Sequence, residues 1–112
     1  MLNNLGLVHL ELGQLRAAGI RLREALAVAD ARDDITAAQR GRILSNLGVV
    51  SLERGELDQA RREFGAALEA ARAANAPYNE KLSLDNLGEV HRELGELDAA
   101  AALFDAALEF CR

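Results

Sequence analysis

The side chains equipped for chemistry here are two histidines, two glutamate pairs and one cysteine, and their spacing argues against a catalytic centre. His9 and His91 hold equivalent places in segments separated by a whole copy of the same pattern, so they cannot share a metal ion within one chain. Each reads as a packed or half-buried neutral imidazole. Glu53 with Glu56, and Glu93 with Glu96, straddle turns, and both pairs read as solvated carboxylates rather than an acid–base couple. No glycine-rich run leads into Lys-Ser or Lys-Thr, which removes a phosphate loop. No serine, histidine and acid are spaced as a nucleophilic set. Cys111 is the only cysteine, so an internal disulfide is impossible and a reducing compartment is the natural setting. These residues imply no enzyme, no metal and no cofactor.

The elements that would position any site must be helices. The chain has 112 residues, half of them apolar, with a single proline, enough for one small domain whose composition favours helix over strand. Aromatic residues are few (Phe64, Phe104, Phe110, Tyr78), so the core rests on leucine, alanine and valine. A net charge of −5, mixed in sign along the chain, lacks the basic face of a nucleic-acid binder. No apolar run approaches the ~20 residues needed to cross a bilayer, and the N-terminus shows no secretory pattern. The expected location is cytoplasmic. Lys81 is the sole lysine among many arginines, which with the alanine load suggests a GC-rich bacterial genome.

Internal repetition organises the chain. Asn-Leu-Gly occurs at residues 4–6, 46–48 and 86–88, offsets of 42 and 40. Aligning these brings together Val8, Val50 and Val90; Gly13, Gly55 and Gly95; Ala18, Ala60 and Ala100; and Leu22, Phe64 and Phe104. A glycine inside a helix costs roughly 1 kcal/mol against alanine, so its recurrence at 6, 48 and 88 implies a packing need: a second helix crossing close by. Leu57, Ala60, Phe64, Ala67, Leu68 and Ala71 step by three and four into one apolar stripe, which Leu97, Ala100, Phe104, Ala107, Leu108 and Cys111 repeat. Leu44, Leu47, Gly48 and Ser51 form the complementary stripe.

The second glycine set (13, 55, 95) falls where a left-handed helix cap belongs, and Asp58 and Asp98 then sit in the next first turn. An aspartate of Arg32-Asp33-Asp34 is the candidate N-cap before Ile35, and Asn75-Ala76-Pro77 makes the later break. The expected helices are 1–12, 15–31, 35–53, 57–74, 77–94 and 97–111. Arg21, Arg61 and Arg62 should pair on the surface with Asp58 and with Glu24 or Glu63, and the run Ala99 to Ala102 should pack on one side only. Met1 aligns with Ile43, and no polar closing helix follows Phe104, Leu108 and Phe110. The chain is thus expected to be a piece of a longer array, or to have its ends covered by another copy.

These residues resemble the tetratricopeptide repeat. The family's large residue, Leu, Gly, aromatic, then Gly, Ala, large apolar and Ala read here as Leu44, Leu47, Gly48, Ser51, Gly55, Ala60, Phe64 and Ala67. The last unit reads Leu84, Leu87, Gly88, His91, Gly95, Ala100, Phe104 and Ala107, and the first Leu2, Leu5, Gly6, His9, Gly13, Ala18, Leu22 and Ala25. The usual first-helix aromatics are replaced by Leu, Ser or His, and the closing proline is missing. The resemblance implies an all-α solenoid of three helix-turn-helix hairpins wound into a right-handed superhelix, one domain with repeats at 1–32, 33–74 and 75–112.

The 40–42 residue spacing with Asn-Leu-Gly is similar to a subgroup found in kinesin light chain, spindle-orientation adaptors and large bacterial regulators. In that subgroup the asparagine hydrogen-bonds a bound peptide's backbone from the concave groove, which implies such a role for Asn4, Asn46 and Asn86. Helical spacing puts Arg42, Ser45, Val49, Leu52 and Glu53 on the same face, with Leu82, Asp85, Glu89, Arg92 and Glu93 in the last unit and Asn3, Leu7 and Leu10 in the first. The carboxylates of Asp85 and Glu89 would favour a basic partner residue. The resemblance therefore implies a non-catalytic module binding a protein or peptide in its groove. The alternatives are a peptide-sensing domain of a larger bacterial regulator, or a scaffold that assembles with itself through exposed terminal helices.

Overall fold

Gly55, Asn75 and Gly95 have positive φ (76°, 51° and 79°) and mark the points where the chain doubles back. At each, two backbone bonds close the outgoing helix. Gly55 N–H donates to Leu52 O at 3.0 Å and Glu56 N–H to Ser51 O at 2.8 Å. Asn75 and Ala76 repeat the pair onto Arg72 and Ala71, and Gly95 and Glu96 repeat it onto Arg92 and His91. This is the Schellman arrangement, which satisfies carbonyls a helix end would leave unpaired; glycine or asparagine is needed because the left-handed region penalises a Cβ. The computed structural model describes residues 15–32 and 35–111. Its helices are α1 (Leu15–Ala31), α2 (Ala37–Glu53), α3 (Leu57–Ala73), α4 (Pro77–Glu93) and α5 (Leu97–Leu108), followed by a 3-10 turn at Glu109–Cys111, with no strand among the described residues.

The helices α3 and α4 end one residue earlier than expected, at Ala73 and Glu93, and two other ends depart further. The start of α2 is capped by Thr36, not by an aspartate. Its hydroxyl accepts from Gln39 N–H at 3.1 Å while Gln39 Oε1 accepts from Thr36 N–H at 2.9 Å. This reciprocal capping box satisfies two orphan donors together, which a lone aspartate further upstream does not. The last α-helix stops at Leu108 and tightens into the 3-10 turn rather than running to residue 111. The expected first helix (1–12), with Asn4, Gly6, His9 and Gly13, lies outside the described residues, as do Asp33 and Asp34. Pro77 opens α4, where its missing N–H does no harm, and Asp58 and Asp98 occupy first turns as expected.

The helices stack in chain order, each on the next, and α2 also touches α4. The fold is an all-α helical repeat. Gly48 and Gly88 are buried, and what occupies the space above each is an aromatic ring. A Cβ on Gly48 would lie 2.5 Å from Phe64 Cε1, and one on Gly88 2.6 Å from Phe104 Cε1. The missing side chain therefore admits a ring from the paired helix of the same hairpin. One core joins Ala18, Leu22, Ala25 and Ala29 of α1 to Ile43, Leu47 and Val50 of α2. A second joins Ala60, Phe64 and Leu68 of α3 to Leu84, Leu87 and Val90 of α4 and Ala107 of α5.

On α5 the expected stripe is only partly covered. Ala100 and Ala107 are buried, while Leu97 and Leu108 are 65% and 53% exposed. Ala99, Ala101 and Ala102 face outward. Arg61 pairs with Asp58 and Arg21 with Glu24, as their spacing suggests. Glu63 does not serve the surface arginines; it turns inward, and Arg62 bonds Gln59 instead.

Candidate functional site

The side of α2 that faces α4 changes size along its length. Val49 and Leu52, in its C-terminal half, are partly buried and pack against the second core. Toward the N-terminus the residues are Ser45, Gly41 and Ala38, too small to fill the same gap. The space they leave is a groove of about 300 Å³. Its α2 wall is Ala38, Gly41, Arg42, Ser45 and Asn46, and its α4 wall is Tyr78, Asn79, Leu82 and Ser83. Ala67 and Ala71 of α3 complete the lining. A Cβ on Gly41 would come within 3.1 Å of Ala70 Cβ, so Gly41 holds α2 close to α3 beside the groove. Small residues on three helices thus create the cavity, and larger ones further along α2 close it.

The polar lining is uneven. Ser83 is buried, Ser45, Asn46 and Asn79 are half-buried, and Tyr78 is 73% exposed at the rim. Arg42 is the one charged residue of the lining, is exposed, and makes no ion pair among the described residues. The carboxylates on the neighbouring surface of α4 are already matched. Asp85 pairs with Lys81 at 3.0 Å and Glu89 with Arg92 at 2.6 Å. Arg72 and Glu80, at 3.2 Å, tie the end of α3 to the start of α4.

Of the residues expected from sequence to contact a partner, Arg42, Ser45, Asn46 and Leu82 are brought together in this lining. Val49, Asp85, Asn86 and Glu89 are half-buried outside it, and Glu53 and Arg92 are exposed outside it. Asn4 lies outside the described residues. Sequence reading missed Ala38, Gly41, Tyr78, Asn79 and Ser83, together with Ala67 and Ala71. The signal was present for most of them: stepping back by three or four from Arg42, Ser45 and Leu82 reaches Ala38, Gly41, Tyr78 and Asn79.

Two polar clusters outside the groove are bonded within the fold. Ser51 Oγ donates to Glu63 Oε1 at 2.5 Å and Gln59 Nε2 to Glu63 Oε2 at 3.0 Å, so the buried carboxylate is bonded at both oxygens. His91 is half-buried, with Nδ1 2.8 Å from Glu96 Oε1 across the α4–α5 turn. Among the described residues no group of three His, Cys, Asp or Glu is gathered to hold a metal ion, and no helix is long and apolar enough to cross a membrane.

Comparison with known proteins adds one positive finding. The sequence model of the tetratricopeptide repeat family matches residues 39–112, from near the start of α2 to the end of the chain. A search of curated proteins finds no match to the chain.

Proposed function

The chain belongs to the tetratricopeptide repeat family, and from that premise we propose that it is a non-catalytic module holding an extended segment of a partner protein between α2 and α4. Tetratricopeptide repeats generally mediate protein–protein interactions. The observation that carries the finer reading is the groove itself: concave, walled by two first-of-hairpin helices, apolar at Gly41, Ala67 and Ala71, and polar at Ser45, Asn46 and Asn79. Side-chain amides offer both a donor and an acceptor, so they can pair with an extended backbone whatever its sequence.

Selection of short end-capped peptides from a random library against the whole chain tests this reading. Peptides that bind should lose affinity for Ser45→Trp, which fills the groove, and keep it for Gly65→Ala, since a Cβ on Gly65 meets nothing within 4 Å. Binding that survives Ser45→Trp, with helicity intact, places the partner elsewhere. A second reading, stacking of copies through α5, is favoured by the exposure of Leu97, Leu108 and Phe110. Light scattering decides it: a strict monomer from micromolar to millimolar concentration removes that reading.

A further inference from the structure

The second helices α1 and α3 are each covered on their far side by the first helix of the next hairpin, α2 and α4. On α1, Ala18, Leu22 and Leu26 share the first core with Ile43, Leu47 and Val50 of α2. On α3, Ala60, Phe64 and Leu68 share the second with Leu84, Leu87 and Val90 of α4. The matching residues of α5 are Ala100, Phe104 and Leu108, and no described helix lies across their far side. Ala100 is buried, but Phe104 is half-exposed and Leu108 is 53% exposed. Leu97, whose counterpart Leu57 packs against the second core, is 65% exposed. Such a strip fits one kind of neighbour: a helix carrying apolar residues in the order of Leu84, Leu87 and Val90.

The chain contains a third copy of that segment. Residues 1–12 align without a gap on residues 43–54 and 83–94, and Leu2, Asn4, Leu5, Gly6, Val8 and Glu11 are identical in all three. Leu2, Leu5 and Val8 therefore stand where α4 has the three residues it turns to the preceding hairpin. Counted outward from the turn at Asn75, Leu68 and Leu84 lie at similar steps along their helices, as do Phe64 and Leu87. We propose that α5 binds residues 1–12 of a second copy of this chain in that same register, with Leu2 against Leu108 and Leu5 against Phe104. This supplies the partner surface for the stacking reading and rests on it; the groove between α2 and α4 takes no part. Each copy presents both surfaces and the two are different, so the contact is head-to-tail and grows into a chain or ring instead of closing at two.

Sedimentation equilibrium of the whole chain from micromolar to millimolar concentration tests this. The average mass should rise past twice that of one chain. Leu108→Glu, at an exposed site of α5, and Leu2→Glu, on the first segment, should each hold the average at the mass of one chain while keeping the native circular dichroism. An equimolar mixture of the two variants should associate again and stop at twice the mass of one chain, because each variant keeps one intact surface and only one productive contact can form. Hydrogen exchange of the unaltered chain gives a reading that needs no variant: amides of residues 1–12 and of α5 should slow together as concentration rises. Slowing of α5 alone, or association that Leu108→Glu abolishes and Leu2→Glu leaves intact, overturns the assignment of residues 1–12 and keeps stacking through α5. An unaltered chain that stops at twice its mass, or a mixture of folded variants that stays monomeric, overturns the head-to-tail order. A strict monomer at every concentration overturns both the assignment and the stacking, and is the outcome if a different protein covers α5.

Discussion

In the middle hairpin, Phe64 of α3 closes over Gly48 of α2 and is wholly buried. In the last hairpin, Phe104 of α5 closes over Gly88 of α4 at almost the same distance, yet stays half-exposed. The glycine–ring contact is local to each hairpin and is the same in both. What differs is the covering: α4 packs on the far side of α3, while no described helix packs on the far side of α5. Leu68 is therefore 8% exposed and its counterpart Leu108 is 53% exposed. Paired residues within a hairpin fix how its two helices meet, and stacking decides how much apolar surface the pair removes from water. The polar contacts differ too. Ser51, Glu63 and Gln59 form a buried network in the middle hairpin, where the last has His91 bonded to Glu96 at the surface and apolar Leu103 in the place of Glu63.

Substitutions can break or sharpen this contrast. Phe64→Ala should lower stability by about 3–5 kcal/mol, as for a buried aromatic, and Phe104→Ala by roughly half as much. Urea unfolding of both measures it, and equal losses would mean that stacking adds nothing to the hairpin. Gly48→Ala comes next, at about 1–3 kcal/mol, because the new methyl meets a ring with nowhere to go. Gly88→Ala should cost less, since the half-exposed Phe104 ring can swing outward; thermal melts of the pair would show the ordering.

Ser51→Ala should destabilise by about 1–3 kcal/mol by leaving a buried carboxylate oxygen unbonded. Adding Glu63→Leu, which copies the apolar residue of the last hairpin, should recover most of that loss. Chemical denaturation of the single and double variants checks this, and a double variant no more stable than the single would show that the network is not what the serine supports. Smallest and opposite in sign, Gly65→Ala should raise stability by about 0.5–1 kcal/mol, since it improves helix propensity in open space.

The helix boundaries were legible because the turn residues carry their own physics: glycine at 55 and 95 and asparagine at 75 accept positive φ, and Pro77 can open a helix but not continue one. The need for glycine at 48 and 88 was also legible, but its beneficiary was not. The ring lies sixteen residues on in both hairpins, a constant spacing that pointed to Phe64 and Phe104 once helix pairing was assumed. Glu63 was read as a surface charge because it follows two arginines, and its inward turn depends on Ser51 of the facing helix. The groove was half legible. Three-four spacing puts Arg42 and Ser45 on the same face of α2 as Asn46, which the family resemblance supplied. It does not fix where along the face the helices are held apart, which the size contrast between Ala38 or Gly41 and Val49 or Leu52 decides in three dimensions. The charge balance was illegible for a related reason: Asp85 and Glu89 looked like a patch until Lys81 and Arg92 were seen to pair with them.

The most direct measurement is amide chemical-shift mapping of the whole chain on titration with a selected groove-binding peptide. Shifts should concentrate at Arg42, Ser45 and Asn46 of α2 and at Tyr78, Asn79 and Leu82 of α4, with α5 and the outward side of α3 unchanged. Shifts centred on Leu97, Leu108 and Phe110, or on the exposed arginines of α3, would contradict a partner held between the two first helices.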